Sequence, residues 1–299
     1  MKRTAGILFG TLAAFWSCAA SAQCVLPTGW TDVVDKQAHY VVFGEMHGTS
    51  EGPVAFGGVA CALAQQDKRL LVAVELDDNL GLQRAWAAPH ERFATALLEA
   101  LPEWKTRNDG VTSQSMLNML VALHGLKDAG RKIDVVAFND TEQLESSHFK
   151  GLPGQGPHEA GQAENIRAAD AQQPYDHVLV LVGNYHARKR PIAPGGVSYE
   201  PMAMRLADAA RIVSISMTND GGQMWACQLK KGFTPMQGPI SAAMVECGPH
   251  DLKGTKHEAG VPQIVATHGA SGPDNPDASF DATFNIGRVT ASPPAKLPE

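Results

Sequence analysis

Two segments of the sequence repeat the pattern Gly-x-x-His, and histidine is the side chain best suited to proton transfer or metal binding near neutral pH. Gly44 precedes His47 by three residues, and Gly183 precedes His186 in the same way. Each pattern follows an apolar run that is typical of a buried strand. If both strands lie in one sheet and run in one direction, both histidines emerge at the same edge. The repeated pattern therefore predicts one shared site.

Two glutamates accompany these histidines. Glu45 precedes His47 by two residues, and Glu75 lies at the end of the otherwise apolar run 70–76, just before Leu76. A carboxylate at the end of a buried strand needs a metal ion, a histidine or an arginine beside it, although a structural ion pair would also satisfy it. His47, His186 and Glu75 are the predicted ligands of a divalent ion, Mn, Co or Zn. Glu45 or Glu75 is the predicted general base.

Polar residues near these motifs are candidates for substrate binding. Arg107, just before a predicted helix, could stabilise an oxyanion or bind a carboxylate, and a surface ion pair is the alternative. Asn184, Tyr185 and Arg188 follow the second motif and are predicted to line the entrance to the site. A solvated basic loop would explain Arg188 and Lys189 equally well.

Several other kinds of site are excluded by missing motifs. The chain has no Gly-x-Ser-x-Gly elbow, dinucleotide-binding glycine motif, P-loop or Cys-x-x-Cys pair. Six histidines stand in helical or polar surroundings and are not assigned to the site: His90, His124, His148, His250, His257 and His268.

Alternating strand and helix patterns predict an α/β fold with a central, mostly parallel or mixed sheet flanked by helices. Apolar, β-branched runs predict strands at 39–43, 70–76, 133–138, 177–182 and 211–217, with a late edge strand at 223–229. Helical patterns cover residues 54–66, 80–101, 113–129, 160–171 and 201–209.

The chain divides into three predicted parts. Residues 1–22 are a signal peptide, residues 23–247 an α/β domain, and residues 248–299 an irregular extension rich in Gly and Pro. We expect one strand within residues 280–289, with the rest of the extension wrapping the surface or remaining mobile.

The amino-terminal segment predicts export. The apolar run 7–16 and the small residues 20–22 are typical of a signal that is cleaved before Gln23. The run is too short to span a membrane. Lipidation at Cys18 is an alternative that its preceding residues disfavour. The expected product is a periplasmic or secreted protein without a stable membrane anchor.

Charge and cysteine content narrow the class of protein further. Cleavage removes two of 25 basic residues and none of 31 acidic residues, so the mature net charge is 23 − 31 = −8. This charge argues against a nucleic-acid partner. Cys227 is predicted to pair with Cys247, and Cys24 with Cys61, as in other exported proteins. The alternative for Cys61 is a buried thiol.

These motifs, taken in order, resemble the Tiki/ChaN-like/erythromycin-esterase superfamily. The resemblance rests on residues 44–49, the strand that ends at Glu75, residues 107–109 and residues 183–186, and it covers roughly residues 38–217. It implies an α/β fold with the site at one end of a central sheet.

The resemblance implies three different activities. Tiki-type members are metal-dependent proteases, which makes His47 and His186 ligands and Glu45 or Glu75 a ligand or base. ChaN-like members bind haem, often as lipoproteins. Erythromycin esterases hydrolyse a lactone without metal, but their first motif has one residue more between Glu and His.

The leading expectation is a metal-dependent hydrolase that cleaves a peptide, amide or ester bond of a peptide or small molecule. The first alternative is non-covalent haem binding through a histidine or Tyr185, in a cleft that a homodimer could complete. The further alternatives are a metal-free His/Glu esterase and a degenerate relative that serves only as an interaction protein.

Overall fold

The computed structural model describes residues 24–35, 37–232, 242–255, 262–267 and 276–296. The predicted signal peptide, residues 1–22, lies outside these ranges, as do His257 and His268. No helix within the described ranges is both long enough and apolar enough to cross a membrane.

The strands and helices of the described residues follow one another along the chain. The strands are β1 (Tyr40–Glu45), β2 (Leu70–Val74), β3 (Ile133–Ala137), β4 (His177–Gly183), β5 (Ile212–Thr218), β6 (Gly222–Leu229), β7 (Val245–Leu252), β8 (Gln263–Ala266) and β9 (Ala282–Asn285). The α-helices are α1 (Trp30–Val33), α2 (Glu51–Gln65), α3 (Asn79–Trp86), α4 (His90–Ala100), α5 (Glu103–Thr106), α6 (Gln114–Asp128), α7 (Glu142–Leu144), α8 (Gly156–Asp170) and α9 (Met202–Leu206).

A central sheet carries the fold, with the strand order β3-β2-β4-β1-β5-β9-β8 among the described residues. Neighbouring strands run parallel except for β8, which is antiparallel to β9. Strand β4 lies between β1 and β2, although it follows both in sequence. The predicted α/β fold with a mostly parallel central sheet is confirmed.

Alternate residues of the strands pack into two apolar layers, one on each face of the sheet. In β1, Val41 and Phe43 join the layer formed with α2, α4 and α6. Tyr40 and Val42 join the opposite layer with α8 and α9. Burial of both faces explains why these strands are continuously apolar rather than alternating.

One predicted helix is divided in the structure. The helix expected over 80–101 is two helices, α3 and α4, with Pro89 at the junction in an extended conformation. Proline has no backbone N–H and cannot continue a helix, so its position explains the break.

Two other predicted helices differ at their ends. Helix α8 begins at Gly156 rather than at residue 160, and α9 ends at Leu206 rather than at residue 209.

The late edge strand forms, but it does not belong to the central sheet. Strand β6 pairs with β7 as a separate antiparallel hairpin. Cys227 and Cys247 face each other across this hairpin and form a disulfide with a Cα–Cα distance of 4.0 Å. Cys24 and Cys61 form the second disulfide. Both predicted pairings are confirmed, which excludes a free thiol at Cys61.

The carboxyl-terminal residues contribute more regular structure than the single strand predicted. Strands β8 and β9 both join the central sheet, where β9 pairs with β5. Residue 247, the expected end of the α/β domain, lies inside β7. Apolar side chains explain the docking, because Ile264, Ala282 and Phe284 are buried in the same layer as Phe43. The division into a signal peptide, an α/β domain and a carboxyl-terminal extension remains a prediction.

Candidate functional site

Three neighbouring strands bring the predicted residues together. Strands β2, β4 and β1 are adjacent and parallel, and Glu45 of β1 is in register with Gly183 of β4. Glu75 follows the last residue of β2, and His47 and His186 follow β1 and β4. All four side chains therefore leave the carboxyl edge of the sheet, where ligands bind in α/β proteins.

Gly183 lies at the centre of this group. A Cβ atom at this position would lie 3.0 Å from His47 Nε2, 3.6 Å from His186 Cδ2 and 3.7 Å from Glu75 Oε2. The missing side chain leaves space above β4, so that residues from the two flanking strands can meet across it. Glycine is needed here for close approach rather than for an unusual backbone angle.

His47 is held between two carboxylates. Its Nδ1 lies 3.0 Å from Glu45 Oε1, and its Nε2 lies 3.2 Å from Glu75 Oε2. Burial opposes the charged imidazole, but the negative charges and hydrogen bonds of Glu75 and Glu45 raise the pKa of His47 well above its usual range. The geometry therefore favours a charged His47.

Glu75 is the carboxylate that joins both histidines. Its Oε2 accepts the Gly183 N–H at 2.8 Å, and its Oε1 lies 3.8 Å from His186 Nε2. Burial alone would raise the pKa of Glu75, but the charges of His47 and His186 and the two hydrogen bonds lower it to about 2. Glu75 is therefore an anion at any physiological pH.

His186 is oriented by a buried glutamate. Its Nδ1 lies 2.9 Å from Glu159 Oε1, and the Met202 N–H donates to the other oxygen of Glu159 at 2.7 Å. Glu159 is only 1% exposed. Burial lowers the pKa of His186, but the Glu159 and Glu75 carboxylates raise it above its usual value. Its Nε2 is too far from Glu75 for a hydrogen bond and can contact a ligand.

Glu159 and His158 are site residues that the sequence patterns did not identify. The predicted helix began at residue 160, one residue after Glu159. Glu159 shares a helix face with the buried Ala163 and Ile166, at spacings of four and seven residues. An acid on an apolar helix face was the signal that could have found it. The His158 ring lies 6.0 Å from that of His186.

Arg107 lies at the same edge of the sheet, among carboxylates. It forms ion pairs with Asp109 at 2.8 Å, Glu103 at 3.6 Å and Asp77 at 3.7 Å. Its loop packs against the loop of the first motif, since a Cβ at Gly110 would lie 2.7 Å from the backbone of Gly48. Among the described residues, the charge of Arg107 is therefore already paired with these three carboxylates, as the alternative of a surface ion pair predicted.

The three residues after β4 occupy different surroundings. The side chain of Asn184 accepts a hydrogen bond from Ser216 Oγ at 3.3 Å, next to β1 and β5. Tyr185 is 56% exposed. The guanidinium of Arg188 lies over the Tyr185 ring at 4.9 Å. Tyr185 and Arg188 therefore contact each other in the segment that contains His186, whereas Asn184 is directed towards β5.

The predicted metal ligands fit a divalent ion by type but not by arrangement. Two imidazoles and a carboxylate are suitable donors. However, His47 Nε2 lies against Glu75, and a nitrogen that donates a hydrogen bond has no lone pair for a metal. Within the described ranges, no group of three or more His, Cys, Asp or Glu side chains is arranged to hold an ion. No reaction step is therefore assigned to a metal.

Comparison with known proteins identifies relatives by fold. The sequence matches no family model and no curated protein. A Bacillus cereus protein of solved structure is similar with a TM-score of 0.56 and 14% identity, over 87% of this chain and 91% of that one. A succinoglycan biosynthesis protein has a TM-score of 0.54 and 13% identity, over 87% and 90% of the two chains.

An erythromycin esterase, crystallised as a point mutant in its open conformation, is also similar. Its TM-score is 0.53 at 12% identity, over 88% of this chain and 93% of that one. The protein is thus an α/β protein whose candidate site lies at the carboxyl edge of its sheet. More particularly, its fold is similar to that of the erythromycin esterase and of the two bacterial proteins, which agrees with the fold that the resemblance of the motifs implied.

Proposed function

We propose that the protein is a hydrolase of carboxylic ester or amide bonds that uses His186 as its general base. The observation that carries this proposal is the pair of contacts at His186. Its Nδ1 is fixed by the buried Glu159, while its Nε2 has no hydrogen-bond partner among the described residues. An imidazole that is oriented by a carboxylate and open at the other nitrogen is suited to deprotonating water.

The other residues complete the chemistry of hydrolysis. A water molecule near His186 loses a proton to Nε2 and attacks the substrate carbonyl. His186 then returns this proton from Nε2 to the leaving group, and His47, kept charged by Glu45 and Glu75, supplies positive charge near the developing oxyanion. Glu75 holds the two imidazoles on either side of the space above Gly183. The fold shared with an erythromycin esterase supports hydrolysis in general, without specifying the substrate.

The test is hydrolysis of 4-nitrophenyl esters by purified protein and by His186→Asn, Glu159→Gln and His47→Ala variants. We expect kcat to fall roughly 100- to 10,000-fold for His186→Asn, the usual contribution of a general base. His148→Asn is the matched control, because His148 is exposed and bonds only to Ser147 among the described residues. Unchanged kcat in His186→Asn would refute the assignment.

The metal-dependent mechanism with His47, His186 and Glu75 as ligands remains a prediction, and a separate measurement tests it. Metal content by mass spectrometry is compared between the wild type and His47→Ala, before and after dialysis against a chelator. Activity that is lost on chelation and restored by Mn, Co or Zn would support the metal site. Activity that survives chelation supports proton transfer by the histidines alone.

Haem binding through a histidine or Tyr185 also remains a prediction. A Soret band on titration with haemin that vanishes in Tyr185→Phe or His186→Asn would support it.

The proposed export is consistent with two disulfides, which form in oxidising compartments. We propose that the mature chain begins at Gln23 and acts in the periplasm or outside the cell.

A further inference from the structure

The cationic side chains near the site differ in whether they have acidic partners. Arg107 is surrounded by three carboxylates. Lys189 lies 2.8 Å from Asp281. Arg188 has no carboxylate at ion-pair distance within the described part of the chain, and the contact that it makes there is with the Tyr185 ring. Of these three cations, Arg188 is therefore the one whose charge no carboxylate among the described residues balances.

The surroundings of Arg188 indicate that the lack of a carboxylate partner among the described residues leaves a hydrogen-bond donor unsatisfied. Its Nε atom is buried and has no hydrogen-bond partner among the described residues. A guanidinium carries five N–H donors in a rigid planar fork, and a buried donor without an acceptor destabilises the protein. Stacking on Tyr185 compensates only in part, because the aromatic face accepts no directed hydrogen bond from Nε. An anionic ligand would balance the charge and accept hydrogen bonds from the terminal nitrogens, which, unlike Nε, are not among the buried atoms without a partner.

The position of Arg188 connects it to the reaction. It lies two residues after His186, in the turn that follows β4, and the bond from His186 N–H to the Gly183 carbonyl at 3.0 Å fixes this turn. Tyr185, between the two motif residues Asn184 and His186, is 56% exposed, and the Arg188 guanidinium lies 4.9 Å from its ring. A ligand bound by Tyr185 and Arg188 would therefore lie next to the proposed general base.

We propose that Arg188, supported by Tyr185, binds a carboxylate of the substrate, so that preferred substrates are esters or amides with an acidic group near the scissile bond. This inference rests on the proposed hydrolase function. The whole chain has a net charge of −6. Its overall field repels anions, so a preference for an anionic substrate must arise from a local cation.

The test compares two esters that differ only in the terminal group. Mono-4-nitrophenyl glutarate carries a carboxylate, and 4-nitrophenyl valerate has the same chain length without one. We expect the wild type to have the higher kcat/KM for the glutarate. In Arg188→Gln the ratio of the two kcat/KM values should fall roughly 10- to 100-fold, chiefly through KM, and Arg188→Lys should restore part of it.

Arg131→Gln is the matched control, since it removes the same charge at the opposite edge of the sheet. Arg131 precedes β3 and pairs with Asp67 at 3.3 Å. The ratio of the two kcat/KM values in Arg131→Gln should equal that of the wild type. An unchanged ratio in Arg188→Gln, or an equal fall in Arg131→Gln, would overturn the proposal. Thermal unfolding of each variant verifies that the compared proteins are folded.

A binding measurement separates this inference from the proposed hydrolysis. The ketone 4-benzoylbutyrate has the shape and charge of the anionic ester but cannot be hydrolysed. Isothermal titration calorimetry should show binding to the wild type and to Arg131→Gln, and binding weakened at least tenfold in Arg188→Gln. If neither ester is cleaved but this pattern holds, the hydrolase proposal fails and the anion site stands. If the wild type does not bind the ketone and shows no preference for the glutarate, the anion site is refuted.

Discussion

At the scale of single residues, Gly52 determines where Glu45 can lie. Glu45 Oε2 is buried without a hydrogen-bond partner among the described residues, and a Cβ at Gly52 would lie 2.6 Å from it. The same Cβ would lie 3.0 Å from Thr49 Oγ1. The first turn of α2 therefore packs directly against the carboxylate that holds His47.

We expect Gly52→Ala to lower kcat about tenfold or more while leaving the protein folded, because the new methyl group displaces Glu45 from His47. Gly58 is the matched control, since it lies in the same helix with no atom within 4 Å of its Cβ position. Gly58→Ala should stabilise the protein by about 0.5–1 kcal/mol, the usual preference of a helix for Ala over Gly. Ester hydrolysis measures kcat of both variants, and urea unfolding measures their stability. Full activity in Gly52→Ala would contradict the proposed contact between Gly52 and Glu45.

Glu103 is a second residue whose surroundings predict a measurable effect. It is 6% exposed, and burial raises its pKa to about 7, against the hydrogen bond from the Asp77 N–H and the charge of Arg107. Between its ordinary pKa and pH 7, the folded protein retains a proton that the unfolded chain releases. Stability contributed by this group therefore falls as pH rises through that window and stays low above it.

The expected size is at most about 3 kcal/mol, from a pKa difference of roughly 2.5 units. Glu103→Gln should remove this decline and make the protein more stable than the wild type at pH 8. Urea unfolding at pH 5, 7 and 8 measures the effect, with the exposed Glu99→Gln as control. A variant that keeps the wild-type pH dependence would show that Glu103 is ionised in the folded protein across the whole range.

At the scale of elements, the β6–β7 hairpin contacts both loops that surround the site. The Trp225 N–H donates to the Gly48 carbonyl at 2.8 Å, and the Trp225 ring N–H donates to the Asn108 carbonyl at 3.0 Å. Gly48 follows His47 and Asn108 follows Arg107, so the hairpin supports the loops of two predicted site residues. The Cys227–Cys247 disulfide fixes the hairpin across its two strands.

We expect the double variant Cys227→Ser/Cys247→Ser to lose both stability and activity. Its free energy of unfolding should fall by about 2–4 kcal/mol, and kcat/KM should fall further than stability explains, because the supported loops move. Cys24→Ser/Cys61→Ser is the control, since that disulfide joins the amino-terminal segment to α2. The prediction fails if both double variants keep full activity, measured well below their unfolding temperatures.

At the scale of the whole molecule, the proposed export is linked to folding through the two disulfides. We expect protein recovered from an exporting host to begin at Gln23, with all four remaining cysteines resistant to alkylation. Protein made without the signal in a reducing cytoplasm should lack both disulfides and be less stable by several kcal/mol. Intact mass spectrometry after alkylation, with thermal unfolding, tests this. A lipid on Cys18, or a chain that still begins at Met1, would contradict the proposed processing.

Local sequence patterns determined much of this protein. Continuous apolar runs predicted buried parallel strands, because both faces of such strands are covered by helices. The two Gly-x-x-His patterns and Glu75 predicted a shared site, since residues after parallel strands emerge at one edge. The number of cysteines, together with the predicted export signal, predicted both disulfides. Each of these properties depends on residues that are close in sequence or on composition.

The tertiary structure alone decided how these pieces meet. It placed β4 between β1 and β2, so that His47 reaches Glu75 across Gly183. It also brought Glu159 from α8 to His186 and surrounded Arg107 with acids. Among the described residues, it left Arg188 without an acidic partner. These contacts join residues from separate elements, and their formation depends on how whole helices and strands pack. No local pattern encodes such packing, which is why the order of the strands and the partners of the charged residues could not be predicted from the sequence.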